Sequence, residues 1–364
     1  MRALLTIATM VLGAGVAQGQ MPEQAAWVPV TPKAVLAAAV AEVIRPNILQ
    51  LDEASGGLDR AMEALCAMPS ADSLAIAADQ FGQVVRAYGA IAFLRLGPLL
   101  EDNRADRLLF WPDRRSIGLK QVHAILATED ASATELASLQ GKSVAVQGLG
   151  ALEFVLFGTG AEALSAQEGA FRCRYGQTIA ANIAAMAGEL TDDWYRPDGI
   201  ASHLQTPQPD YSDYRTETEA LEALVGLVSH GLEALRDKHL LAFMARDNAA
   251  ARPKLAVFWR SDLTMAYARA NIEGMRKLVA ASGAARAVSD KQQGLENTID
   301  FEFRNAIRAL DLITLPVAAA VADEKQAAAL SYLVLVTGSL QSIIGEQLSA
   351  ALGLSVGFSA LDGD

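Results

Sequence analysis

Histidine and cysteine, the residues that most often hold a metal or attack a substrate, are scarce in this sequence. Its 364 residues include two cysteines and four histidines, and the histidines are scattered at His123, His203, His230 and His239. No HExxH pair is present, whereas a zinc peptidase needs two or three well-placed ligands and a base. The residues alone therefore give a zinc peptidase no direct support.

Basic residues are also few relative to acidic ones. The chain has 30 Lys and Arg against 42 Asp and Glu, a net charge of −12. Nucleic-acid binding depends on contacts between basic side chains and phosphates, so we expect no nucleic-acid partner. The acidity is compatible with cation binding, although it commonly serves solubility alone.

Long apolar runs are confined to the N-terminus. Residues 1–19 contain one charge, Arg2, followed by an apolar run and a small-residue cleavage site. This pattern predicts a cleaved secretory signal peptide without a lipid-accepting cysteine. We expect a mature protein outside the cytoplasm that is not a lipoprotein, with no later run of transmembrane length. In an oxidising compartment, Cys66 and Cys173 are expected to form a disulfide.

Most of the remaining chain has the apolar spacing of helices. Proline and glycine residues in a polar setting interrupt this spacing between 192 and 213. We therefore predict an all-α fold of two antiparallel four-helix bundles packed side by side. The predicted domains are an N-terminal bundle, residues 20–195, and a C-terminal bundle, residues 196–364.

The first helix has clear start and stop signals. Thr31 is the expected cap, because Pro32 then occupies the first helical position. Pro46 is expected to kink that helix or to end its first part, and Gly56-Gly57 to close or turn the segment.

The central question is set by one carboxylate in an apolar stretch. Between Gly148 and Gly158 the only polar side chain is Glu153, and a helix that is apolar all round is a buried helix. Glu153 should therefore be paired with a cation, bound to a metal, or kept neutral by a raised pKa. Arg95, the only charge between Ala87 and Leu100, is a candidate buried partner, unless it reaches solvent along its stem.

Two motif matches in the chain are coincidental. Gly148-x-Gly150-x-x-Glu153 resembles a dinucleotide-binding turn, but that fingerprint needs Gly or Ala where Glu153 stands. Gly353-x-Ser355-x-Gly357 matches a nucleophile elbow, but that arrangement requires a downstream histidine. Only seven residues follow, and none is histidine.

Other candidate ligands are isolated. His123 flanks a short amphipathic helix and is either a boundary residue or a metal ligand. His230-x-x-Glu233 has the spacing of a metal pair, but both residues point away from the apolar stripe, which favours a solvated pair. Asp362 belongs to a C-terminal carboxylate cluster that either binds a hard cation or is a solvated tail.

Several short stretches together resemble the imelysin family from about residue 33 to the last residue. In chain order these stretches are Arg95-Leu-Gly-Pro98, Phe110-Trp-Pro-Asp113, Gly148-Leu-Gly-Ala-Leu-Glu153 followed by Phe-Val-Leu-Phe, Arg260-Ser261, and Gly357-Phe-Ser-Ala-Leu-Asp-Gly-Asp364. The resemblance implies two helical bundles, a bacterial periplasmic or outer-surface location, and a GxHxxE motif at the inter-bundle site. Imelysins have been classed as metallopeptidases, while many relatives are associated with iron uptake.

The chain departs from that motif at its central position. Gly148 and Glu153 match the first and last positions, but Gly150 stands where the motif has histidine. Glycine supplies no ligand, so the departure removes one ligand from the peptidase chemistry and from the metal site that the family implies. The gap leaves room for a ligand near Glu153.

Our leading hypothesis is a periplasmic, imelysin-like component of iron or other metal acquisition that binds or assists and does not catalyse. The site would take iron, another divalent metal or a small ligand between the bundles, and envelope uptake proteins would be partners. The alternatives are a metal-dependent peptidase and a structural scaffold for a partner. The candidate ligand or metal residues are Glu153, Arg95, Asp113, His123, Arg260 and Asp362.

Overall fold

The computed structural model describes residues 27–113, 115–245 and 249–355. Helices and turns make up these ranges, and no strand occurs in them. The all-α prediction is therefore confirmed. The predicted signal peptide and Asp362 lie outside the described residues.

Thirteen helices occur in the described ranges. They are α1 Pro32–Ala67, α2 Ala71–Gly89, α3 Arg104–Leu108, α4 Ile117–Thr128, α5 Leu136–Gln140, α6 Leu149–Phe157, α7 Ala170–Tyr195, α8 Ile200–Gln205, α9 Glu217–Ala234, α10 Thr264–Ser282, α11 Gly294–Asp311, α12 Val317–Ala320 and α13 Glu324–Ala351. Among the residues that the structure describes, three turns are π-helical: Ala39–Ile44 within α1, Leu235–Leu240 directly after α9, and Ile343–Leu348 within α13.

The start of α1 follows the sequence prediction, but its length does not. Thr31 caps the helix by accepting a hydrogen bond from the N–H of Ala34. Pro46 neither ends nor splits the helix, which continues to Ala67. The π-helical turn comes directly before it, and such a turn changes the hydrogen-bond register where a proline cannot donate. Gly56 and Gly57 are likewise inside the helix.

The long helices pack in two groups that contact each other. In the N-terminal half, α1 packs against both α2 and α7. In the C-terminal half, α9, α10, α11 and α13 form a ring in which each helix touches the next. The start of α1 and one face of α2 pack against α10. The division into two four-helix bundles stays a prediction.

The predicted disulfide is confirmed. Cys66 at the end of α1 is bonded to Cys173 in α7, and their Cα atoms are 5.5 Å apart. The bond ties together two packed helices of the N-terminal half, 107 residues apart in sequence. Such bonds are typical of proteins from oxidising compartments.

Two helices, α1 and α13, are long and apolar enough by length and composition to cross a membrane. The expectation that no later run reaches this length is therefore wrong for these helices. About half of the most apolar stretch of each is buried inside the fold, 50% and 44% respectively. A core helix of a globular protein has the same properties, because it is apolar on several sides.

Candidate functional site at Glu153

The short helix α6 carries the motif and is enclosed by its neighbours. It packs against α2, α4 and α7, and all of its residues from Ala151 to Leu156 are buried. Contacts on several sides explain why its apolar residues form no single stripe. Glu153 is 3% exposed, as predicted from its apolar surroundings.

The N-terminus of α6 is fixed by a close backbone approach. A Cβ atom on Gly148 would lie 2.1 Å from the carbonyl oxygen of Arg107, so only glycine fits there. The preceding side chain, Gln147, is fully buried; it donates to the carbonyl of Lys142 at 2.9 Å and accepts from Arg107 Nε at 3.1 Å. Asn182 Nδ2 donates to the Gln147 carbonyl at 3.0 Å. These contacts set the position from which the helix starts.

The C-terminus of α6 is capped by one arginine. Arg172 donates to the carbonyl oxygens of Phe154, Val155 and Thr159 at 2.7–2.8 Å. The last carbonyls of a helix lack partners within the helix, and a cation there also interacts favourably with the helix dipole. Both ends of α6 are thus anchored, and Glu153 is held between them.

Glu153 is bound by a turn from the C-terminal half of the chain. Arg260 and Ser261 donate their backbone N–H groups to Glu153 Oε1 at 2.9 and 3.0 Å. The Ser261 hydroxyl lies 3.0 Å from the same oxygen and 3.2 Å from the Phe258 carbonyl, so its single proton serves one of the two. Arg260 Nη1 lies 3.8 Å from Glu153 Oε2. The carboxylate therefore joins α6 to this turn.

The turn can present two N–H groups because of its backbone conformation. Phe258 and Asp262 both have positive φ, at 56° and 59°, a region that residues other than glycine rarely adopt. Thr264 Oγ1 donates to the Val257 carbonyl at 2.6 Å, and the Leu263 N–H donates to the Phe258 carbonyl at 3.0 Å. These bonds keep the turn in the conformation that receives Glu153.

Burial opposes the charges of both members of the pair. It raises the pKa of the Glu153 carboxyl, while the Ser261 N–H and the charge of Arg260 oppose the rise. Burial also lowers the pKa of Arg260, and the charge of Glu153 opposes that change. The guanidinium lies over the rings of Trp259 and Phe154, 4.5 and 5.4 Å from their centroids. Aromatic faces stabilise a cation that has lost water.

A cavity of about 60 Å³ lies beside this pair. Its wall includes Glu153, Arg260, Asp113, Gly150 and Trp111. A Cβ atom on Gly150 would meet nothing within 4 Å, so the position of the motif histidine has free space next to it. The volume suits a few waters or a very small molecule; a peptide does not fit.

The remaining predicted site residues are distributed as follows. Asp113 lies in the cavity wall, and its two carboxylate oxygens accept the N–H groups of Ile117 and Leu119 at 2.7 and 3.2 Å. It therefore satisfies the free N–H groups at the start of α4. His123 is exposed, and its ring centroid lies 4.6 Å from that of Phe154.

The proposed pairing of Glu153 with Arg95 is wrong. Arg95 is exposed and lines a separate cavity, whereas the basic partner of Glu153 is Arg260. The solvated position predicted for Glu233 is also wrong, because it is buried at 7% exposure. The reason is that α9 packs against α1, α10 and α13, so its polar side also faces protein.

The residues around Glu153 do not fit a resident metal ion. In the described part of the chain, no three His, Cys, Asp or Glu side chains converge on a possible metal position. Glu153 Oε1 and both oxygens of Asp113 already accept hydrogen bonds, and Arg260 places a positive charge beside Glu153. Hard cations require several free oxygen ligands, which this arrangement does not offer.

Some residues that build the site carry no recognisable signal in the sequence. Arg172 and Gln147 act through backbone carbonyls, and Ser261 acts through a turn with unusual φ angles. Trp111 contributes to the cavity wall a buried indole N–H that has no partner among the described residues. Among the residues around Glu153 in the C-terminal half, the sequence indicates only Arg260 and Ser261, through the family resemblance.

Comparison with known proteins identifies relatives of this fold. The family model named Imelysin, Peptidase_M75, matches residues 45–343. No curated protein matches the chain.

Two solved structures have a similar fold. An imelysin-like protein from Psychrobacter arcticum has a TM-score of 0.74 and 17% identity, over 92% of this chain and 100% of that one. An iron-regulated protein A precursor from Parabacteroides distasonis has a TM-score of 0.72 and 15% identity, over 88% and 95%. Because the family model matches most of the length of this chain, the chain belongs to the imelysin family.

Proposed function

We propose that this protein is an exported, non-catalytic imelysin that acts as a binding or accessory component of iron acquisition in the bacterial envelope. The proposal that the protein is not a catalyst rests on the residues at the motif positions. Gly150 provides no ligand, and Glu153 is engaged by Arg260 and Ser261. A metallopeptidase needs three protein ligands and an open position for water, and this arrangement supplies neither.

The proposed link to iron rests on a protein of similar fold. A protein with the same fold, the precursor from Parabacteroides distasonis, is described as iron-regulated. In our proposal iron is cargo, delivered to or received from envelope uptake proteins. It is not a cofactor held by Glu153.

Export is supported by two observations. The Cys66–Cys173 disulfide is formed, and residues 1–19 have the composition of a signal peptide. We propose a periplasmic location for the mature chain. Osmotic-shock fractionation tests this, and recovery of the protein with its thiols reduced in the cytoplasmic fraction would contradict it.

The role in iron acquisition is tested by deleting the gene in the organism that carries it. We expect slower growth than wild type when a chelator limits iron, and normal growth when iron is added. Complementation with Glu153→Gln, beside the exposed control Glu53→Gln, then separates a role of the site from a role of the scaffold. A deletion strain that grows normally under iron limitation would refute the proposal.

The absence of catalysis is tested on the purified mature protein. Wild type is incubated with unfolded protein substrates and added Zn²⁺ or Fe²⁺, with and without a chelator. We expect no cleavage in either condition. Cleavage that the chelator abolishes, and that Glu153→Gln also loses, would show that a peptidase site survives without the motif histidine.

A further inference from the structure

A second cavity, larger than the one at Glu153, lies in the C-terminal half of the molecule. Its volume is about 310 Å³, within the usual range for small-molecule sites. It lies between α9, the π-helical turn Ile343–Leu348 and the segment around Arg95. Its lining residues and those of the Glu153 cavity do not overlap.

One wall of this cavity depends on a close approach between two elements. A Cβ atom on Gly345, in the π-helical turn, would lie 2.5 Å from Ser229 Oγ, so the turn comes against α9 only because that residue is glycine. One turn before His230, Gly226 also lines the cavity, and an added Cβ atom there would make an ordinary contact with His230 Cε1 at 3.8 Å. Irregular π-helical turns are frequent at functional sites.

Three polar side chains in the wall lack partners in the described part of the chain. Arg95 and Glu222 form no ion pair or hydrogen bond there, either with each other or with another described residue. Ser229, with 9% exposure, likewise has no hydrogen-bond partner among the described residues. Its hydroxyl oxygen is not among the fully enclosed polar atoms without a partner, so a molecule in the cavity can reach it.

The charges in the wall define what would bind. Arg95 favours a carboxylate, which its guanidinium can hold through two parallel hydrogen bonds. Glu222 disfavours a second negative charge and attracts an ammonium group. The rest of the wall includes Leu96, Ala223 and Val225, which suit a short apolar substituent.

We propose that this cavity binds a small zwitterion, a molecule that carries one carboxylate and one ammonium group, as an α-amino acid with a short apolar side chain does. Arg95 binds the carboxylate, Glu222 binds the ammonium group, and Ser229 hydrogen-bonds to the ligand between them. The site is separate from Glu153 and does not depend on the proposed role in iron acquisition.

Calorimetry on the mature wild-type protein tests the proposal, with L-alanine and L-valine as probes. Acetate and ethylammonium, each carrying one of the two charges, are titrated under the same conditions. We expect saturable binding of at least one amino acid, and binding weaker by roughly tenfold or more for acetate and ethylammonium, because each loses one charge-assisted contact. No saturable binding of either amino acid would overturn the proposal, and equal binding of acetate would overturn the zwitterion assignment.

Matched variants locate the site. Arg95→Gln and Glu222→Gln should each weaken amino-acid binding by roughly tenfold or more. The controls Arg215→Gln and Glu217→Gln make the same chemical changes at exposed positions outside the cavity, and they should leave binding unchanged. Gly226→Leu should abolish binding by filling the cavity while the protein keeps its helical circular dichroism. Unchanged binding in both Arg95→Gln and Glu222→Gln would place the ligand elsewhere and overturn the proposal.

Discussion

Replacing Glu153 by alanine should cost a large part of the stability of the protein. The change leaves two partly buried N–H groups, those of Arg260 and Ser261, without their acceptor, and an unsatisfied buried donor costs about 1–3 kcal/mol. It also leaves the guanidinium of Arg260 without its counter-charge. Water that enters from the neighbouring cavity can satisfy part of this loss. We expect a fall of about 3 kcal/mol in the free energy of unfolding.

Glu153→Gln should cost less, because glutamine keeps a carbonyl oxygen that can accept both N–H groups. The difference in stability between wild type and Glu153→Gln also depends on pH. Burial raises the pKa of Glu153, so between the unfolded and the folded pKa the folded state binds the proton and the unfolded state does not. The stability that comes from this proton uptake is fully present below the pKa of Glu153 in the unfolded state. It is lost as the pH rises through the pKa of Glu153 in the folded state. As the pH rises from 5 to 8, wild type should therefore lose stability relative to Glu153→Gln.

Guanidinium unfolding followed by circular dichroism measures these differences, with the exposed Glu53→Ala as a control for loss of a helical carboxylate. The control should stay within about 0.5 kcal/mol of wild type. If Glu153→Ala were as stable as its control, the hydrogen bonds to the turn would not be important for the fold. If Glu153→Gln and Glu153→Ala lost equal stability, the acceptor oxygen would not be the reason for the loss.

The other predictions also concern stability. Gly148→Ala places a Cβ atom 2.1 Å from a backbone carbonyl oxygen and should lower the free energy of unfolding by about 3 kcal/mol or more. In Gly150→Ala the Cβ atom meets nothing within 4 Å, and the free energy of unfolding should stay within about 1 kcal/mol of wild type. Chemical unfolding of the two variants compares them. The double variant Cys66→Ala, Cys173→Ala opens a link across 107 residues and should lose about 2–5 kcal/mol, and similar unfolding curves for wild type with and without reductant would contradict this. Burial lowers the pKa of His239 to about 4. The unfolded state therefore takes up the proton first as the pH falls from 6.5 towards 4, and wild type should lose up to about 3 kcal/mol that His239→Gln does not lose. A pH series of unfolding curves for both proteins checks this.

The fold class and the burial of Glu153 could be predicted because they depend on local composition. Apolar spacing predicts helices wherever it persists, and a lone carboxylate among leucine and phenylalanine is expected to be enclosed. The boundaries of α1 were mispredicted because a π-helical turn precedes Pro46. Such a turn has no signal in a single sequence.

The partner of Glu153 could not be predicted for a different reason. Arg260 and Ser261 are more than 100 residues away, and they reach the carboxylate mainly through backbone N–H groups. Any residue except proline has such a group, so residue type does not reveal this role. The apolar neighbours of Arg95 in the sequence favour a buried position, but they do not show which way a long side chain points.

The free space beside Gly150 means that the three motif positions obey different physical rules. Position 148 must be glycine for steric reasons, and position 153 serves as an acceptor that joins two halves of the molecule. At position 150 an added Cβ atom meets nothing within 4 Å, so a side chain can stand there without a clash. In this chain the fold alone therefore accounts for Gly148 and Glu153, so their presence is not by itself evidence of a working metal site.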